Sequence, residues 1–353
     1  MTPTTIPARR ALWIALAFSL GVLGLIVAGN PALAHFQVFS VKTNALDYIW
    51  RLTEPTALTR MVVWFSYMTH QLTSWGLIWY AQRSKPIYTT TLHPFNLAAM
   101  GVNGVFMFWH WVQTQWTYDG LAQDVSILTS QGAVILMLVV VLAMETHRRG
   151  LFFGKQIGFR REFVAFLRRY HGYLFSWALV YTFWYHPMVS TPGHLVGFLY
   201  MSFLLIQSSL FYTRLHINRW WTFGLEVMVL PHGVIVAVMN GNDLWPMFLI
   251  GFFALVVATQ MFGLPITNRA RWAIVGMFVA MNLVMYTWWQ RPLRALPRDL
   301  LAIPAIEYVS IFVLYALFLL GLGGIAVYHR LFVRPDRAGT AVKVDDAQTP
   351  PPG

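Results

Sequence analysis

The chain has 353 residues, with 57% apolar and only 11% charged types, less than half the charged share of a soluble domain, so the bilayer rather than water is the natural solvent for its surface. Cysteine is absent, which excludes disulfides, zinc–thiolate sites, iron–sulfur clusters and a cysteine nucleophile. The net charge of +12 does not indicate nucleic acid, because the basic residues occupy short gaps between apolar runs, where membrane orientation explains them.

Ten apolar stretches approach or exceed the roughly 20 helical residues needed to cross a hydrocarbon core. They predict an all-α, polytopic transmembrane helical bundle. The first, 11–29, follows Arg9 and Arg10 and precedes Pro31-Ala32-Leu33-Ala34. A signal peptide shares that pattern, and its cleavage would leave nine helices; the length of the run favours an uncleaved anchor. The second span, 61–81, carries His70 near its middle, and the third, 94–115, carries His93 and His110 near its ends. After the fourth, 125–144, comes a basic segment, 145–170, in which Phe163, Phe166 and Leu167 recur at helical spacing among arginines. That pattern predicts an amphipathic helix on an anionic leaflet.

The fifth span, 171–187, opens at His171 and closes at His186-Pro187. The sixth, 193–213, begins with Gly193 and Gly197, a small-xxx-small pair expected to pack against the fifth. The seventh, 220–238, holds Glu226 and Pro231-His232, and the proline predicts a kink. Spans 245–263, 272–290 and 305–327 complete a membrane domain over 1–334. The remaining 335–353, polar and ending in prolines, is expected to be a disordered cytoplasmic tail. With the N-terminus inside, 19 of the 25 basic residues fall on the cytoplasmic side. This positive-inside bias predicts a multi-pass protein of a bacterial cytoplasmic (inner) membrane with both termini inside.

Eleven histidines need a reason in such a chain, since intramembrane ionisable groups are expensive and usually functional. On this topology they form two layers. His93, His171, His216 and His329 lie near the cytoplasmic face, and His110, His186, His194 and His232 in the outer half. His171 and His186 are fifteen residues apart on one helix, about 22 Å along its axis and about 60° around it. A helix bearing one axial ligand for each of two stacked haems needs that arrangement, and imidazole suits haem iron. Candidate partner ligands are His93 and His110 on the third helix and His216 and His232 around the seventh. Neither pair repeats the register of the fifth helix, so mixed pairing stays open. The other reading of each histidine is a polar anchor in the headgroup zone.

The run from His171-Gly172 to His186 resembles the haem-bearing helix of ferric-reductase-like and related b-type cytochrome membrane domains. In those, a cytoplasmic-side His beside a Gly precedes a second His by about fourteen residues. The spacing here is one longer, and a second helix with a matching pair is not evident. The resemblance implies haem b as cofactor. Because the chain has no flavin or nucleotide domain, it also implies a membrane subunit that exchanges electrons with quinone or a partner redox subunit.

Glu226 is the candidate catalytic group: a carboxylate inside a span either relays a proton or binds a quinone oxygen, or simply hydrogen-bonds a neighbouring helix. Two other function classes fit the composition. One is a membrane enzyme with a non-haem metal on His171, His186, His110 and His232, although no clustered histidine boxes occur. The other is a transporter or assembly factor, although no internal repeat is visible.

Overall fold

A computed structural model of the chain describes residues 2–39, 41, 48–241 and 243–332. Among these residues the structure is helical, and extended pairing is confined to isolated bridges such as Pro7 with Thr91. Residues Met1–Ile311 form one compact unit, and the rest of the last helix belongs to a second. The expected tail, 335–353, lies outside the described residues.

Local chemistry sets most helix starts. α1 (Ala8–Gly29) follows Pro7. α2 (Ala57–Arg83) opens with a reciprocal capping box between Thr56 and Thr59. α3 (Pro94–Thr117) has proline at its first position, and the Asn96 side chain accepts from the His93 backbone N–H at 2.7 Å. α4 (Ile127–Arg149) is capped by Ser126 and α6 (Pro192–Ser209) by Thr191. α4 stops at Gly150, whose φ of 73° needs glycine; a Cβ there would stand 2.4 Å from the backbone of Gly154. α5 runs Arg161–Tyr185, α7 Arg219–Val227, α8 Val229–Met239, α9 Trp245–Ala258, α10 Asn268–Leu283 and α11 Leu296–Phe332.

α7 and α8 together form the seventh rod. It is interrupted at Met228, three residues before Pro231, because the proline has no N–H for the Val227 carbonyl and its ring crowds that oxygen. The ten expected helices are therefore present, the seventh in two pieces. α1, α4, the α7–α8 rod, α9, α10 and α11, each with its adjoining turns, are long and apolar enough to cross a membrane. The protein is a membrane-embedded helical bundle.

α5 is central, packing against α2, α4 and α6. Its Leu179, Trp184 and Tyr185 share one core cluster with Val63 and Tyr67 of α2, Met107 of α3 and Leu205 of α6. Two expectations change here. The amphipathic stretch around Phe163 is not a separate surface helix but the first turns of α5, since no proline interrupts Arg161–Tyr185. Phe163 and Leu167 are buried and Phe166 is exposed, so His171 lies ten residues inside the helix instead of opening it. The small residues of α6, expected to pack against the fifth span, press on α8. A Cβ on Gly193 would stand 2.9 Å from Met239 Sδ, and one on Gly197 2.9 Å from His232 Nε2.

Candidate functional site: a histidine-lined cavity

At the end of the bundle where α3 begins and α4 ends, the helices part around a cavity of about 820 Å³, within the range of cofactor-sized sites. Its walls are largely apolar: Leu77 and Ile78 of α2, Val134 and Met137 of α4, Phe175 of α5 and Leu204 of α6. Four arginines, Arg148, Arg168, Arg169 and Arg219, also line it.

His171 and His216 both line this cavity, with ring centroids 6.5 Å apart and planes inclined by 36°. Each ring is oriented by its Nδ1. In His171 that nitrogen donates to the Arg168 carbonyl at 2.8 Å, and in His216 to the Gln207 carbonyl at 3.0 Å. A carbonyl can only accept, so both rings carry the proton on Nδ1 and leave the Nε2 lone pair available. Among the described residues neither Nε2 has a hydrogen-bond partner. Gln207 fixes His216 twice over, because its Nε2 also donates to the His216 carbonyl at 2.9 Å while its Oε1 accepts from Trp221 Nε1 at 2.6 Å. His216 is thus held although it sits in the irregular link between α6 and α7. Gly172 lines the cavity too, and a Cβ there would make only ordinary contact with Ile78, at 3.6 Å.

Glu226 reaches the same cavity but is bound: Arg149 Nη1 donates to it at 2.7 Å, and both side chains are largely buried, 2% and 10% exposed. Glu226 is thus hydrogen-bonded to a neighbouring helix, with the last residue of α4 as partner. Arg149 Nε and Nη2 find no partner among the described residues. The sequence reading missed the buried acid of the tenth span, Glu307, 2% exposed in α11; its signal was a carboxylate just inside that span.

The other histidines have different surroundings. His93 is buried at the start of α3, where its Nε2 bonds the Ile87 carbonyl at 3.1 Å. His70 donates from Nε2 to Asn103 Oδ1 at 2.8 Å and receives Trp184 Nε1 on Nδ1 at 3.2 Å. At the opposite end of the bundle His110 uses both nitrogens, Nδ1 to Gln113 Oε1 and Nε2 to the His186 carbonyl, each at 2.9 Å. His186 and His194 share the hydroxyl of Tyr48, each at 2.8 Å, and His232 lies against Gly197. The fold thus pairs His171 with His216, and separately gathers His186, His194 and His232. Among the described residues no three His, Asp or Glu side chains converge as a metal-binding set.

Outside the spans, burial shifts several groups. It raises the carboxyl of Asp119, in the link between α3 and α4, to about 6, opposed by a hydrogen bond from Gly120 N–H. It raises the Tyr48 and Tyr118 phenols. In the links preceding α9 and α11, hydrogen bonding from Arg291 holds Asp243 below the usual carboxylate range.

No protein-family model matches the chain, and no curated protein or solved structure matches it either.

Proposed function

We propose that the chain is a b-type haem membrane protein, with one haem held by His171 and His216, that passes electrons at the cytoplasmic face of a bacterial inner membrane. The observation that carries this reading is the pair of imidazoles from two different elements, each tied through Nδ1 and free at Nε2, at one large apolar cavity. Metal-bound histidine characteristically donates its other N–H to a carbonyl or carboxylate. Bonds of about 2 Å from a metal to each imidazole put two opposed ring centroids roughly 6 Å apart, close to the spacing found. Two protein ligands suffice for haem because the macrocycle supplies the rest.

When bound, the haem would supply one-electron chemistry, with His171 and His216 as the residues that would hold it. The protein's part is to exclude water with the aliphatic walls and to fix the ligands through Arg168 and Gln207. Arg148, Arg168, Arg169 and Arg219 suit the cofactor's carboxylates, with which guanidinium forms its strongest pairs. The electron partner is quinone or a separate redox subunit.

The test is optical. Protein made with adequate haem supply should show the sharp reduced bands of low-spin haem b and yield one haem per chain on pyridine extraction. His171→Leu and His216→Leu should each remove the bands, and His186→Leu should keep them. A colourless wild-type protein overturns the reading and leaves the cavity to an amphiphile with an anionic head. Bands that survive in both ligand variants overturn the ligand assignment.

A further inference from the structure

The histidines gathered at the opposite end of the bundle do not enter that reading, yet they are not isolated anchors. Tyr48 precedes α2, His186 follows α5, His194 lies in the first turn of α6 and His232 in α8. Four segments thus bring ionisable groups to one place in a membrane-embedded bundle, where each carries a desolvation penalty. Their connection is specific. The Tyr48 hydroxyl lies 2.8 Å from His186 Nδ1 and 2.8 Å from His194 Nε2, and His194 Nδ1 lies 2.6 Å from Thr191 Oγ1. The His186 and His194 rings are 5.4 Å apart, and His232 packs on α6 at Gly197, three residues past His194. On its other side His232 stands 6.1 Å, ring to ring, from Tyr200, which lines the cavity. Gly197, one turn before Tyr200, lets the imidazole of His232 sit against the backbone of α6.

We propose that Tyr200, His232, His186, Tyr48, His194 and Thr191 form a proton path from the cavity to the far end of the bundle. The chemistry follows from valence. The Tyr48 hydroxyl has one hydrogen and two imidazole neighbours, so it must donate to one and accept from the other. This leaves two complete arrangements of the chain, in which every hydrogen bond runs one way or the other.

A proton arriving at His186 Nε2 displaces the one on Nδ1 to the Tyr48 oxygen. The Tyr48 proton moves to His194 Nε2, that on His194 Nδ1 moves to the Thr191 oxygen, and the Thr191 proton leaves to water. One O–H or N–H bond forms for each that breaks, no charge remains, and the chain is left in its reverse arrangement. Ring and hydroxyl rotation resets it. The links without a direct hydrogen bond, Tyr200 to His232 and His232 to the imidazole pair, would be carried by bridging water. Together with the cavity, the path links the two ends of the bundle.

The experiment is proton flux in proteoliposomes driven by a potassium gradient with valinomycin and read by an entrapped pH dye. Wild-type protein should conduct at least tenfold faster than protein-free vesicles. Tyr48→Phe keeps the ring packed against Trp50 and Tyr185 and removes only the hydroxyl; it should return the flux to background, as should His194→Asn one link farther. Both should elute as wild type does on gel filtration. Wild-type flux equal to that of empty vesicles, or full flux in both variants, overturns the path. The optical spectrum of the same samples reports on haem separately, so a colourless protein that conducts overturns the cofactor and keeps the path, and a coloured one that does not conduct does the reverse.

Discussion

The Arg149–Glu226 pair gives the candidate catalytic carboxylate a structural partner. Removing one partner of a buried ion pair leaves an uncompensated charge, at a cost of about 3–5 kcal/mol. Glu226→Ala should therefore destabilise strongly, and the double change Arg149→Met with Glu226→Met should recover most of the loss. Thermal denaturation of the two singles and the double in one detergent closes the cycle; a double variant as unstable as the sum of the singles contradicts the pairing. Asp119 gives a pH signature instead. Its folded pKa, about 6, lies above the unfolded value of about 3.9, so between these values the folded chain holds more protons than the unfolded one. Stability from this group is therefore greatest below that window, falls as pH rises through it, and is constant above. Melting temperature followed from pH 4 to 8 should decline more steeply in wild type than in Asp119→Asn, with the curves parallel above about pH 7.

Between helices, close approach is set by small residues, and the cost of filling them differs with what lies opposite. A methyl on Gly251 of α9 would stand 2.8 Å from Ile303 Cβ of α11, an atom that moves only with its backbone. Gly251→Ala should cost about 1–3 kcal/mol by overpacking. Gly276→Ala in α10, where nothing lies within 4 Å, should be neutral or gain up to about 1 kcal/mol from helix propensity. Equal melting shifts in the two variants would contradict the α9–α11 contact.

The helices themselves were legible because hydrophobic runs bounded by Pro, Thr, Ser and Gly leave little choice inside a bilayer. The continuation of α5 back to Arg161 was harder to read, since arginines among aromatics suit a leaflet as well as a helix end. The pairing of His171 with His216 was not legible. Helical register can be counted only along helices, and His216 lies in a link whose position comes from Gln207 and from the backbone bond of Arg214 to Thr89 at 2.7 Å. The cluster at the opposite end was hidden for the same reason, because Tyr48 lies in a loop and its place is visible only once His186 and His194 meet at its hydroxyl.

At the scale of the whole molecule, the positive-inside bias predicts which links face the cytoplasm. Reporter fusions after Lys85 and Arg219 should read as cytoplasmic and a fusion after Asp119 as external; reversal at two of the three overturns the orientation. The division between strongly apolar rods and the rest carries a further consequence. α2, α3, α5 and α6 fall outside the set apolar enough to cross a membrane alone, and they carry buried polar groups such as His70, Asn103, His110 and Ser202. A translocon releases segments into lipid according to their own transfer energy, so these four gain little by leaving it singly. α2 and α3 emerge consecutively and pack on each other, which leaves α4, the next strongly apolar segment, to draw them in. A chain that begins after α1 and ends before α4 should therefore be extractable by alkaline carbonate, and one that begins after α1 and extends through Arg149 should not. That outcome would make insertion cooperative, with segments that carry buried polar groups entering the membrane on the partitioning energy of more apolar neighbours.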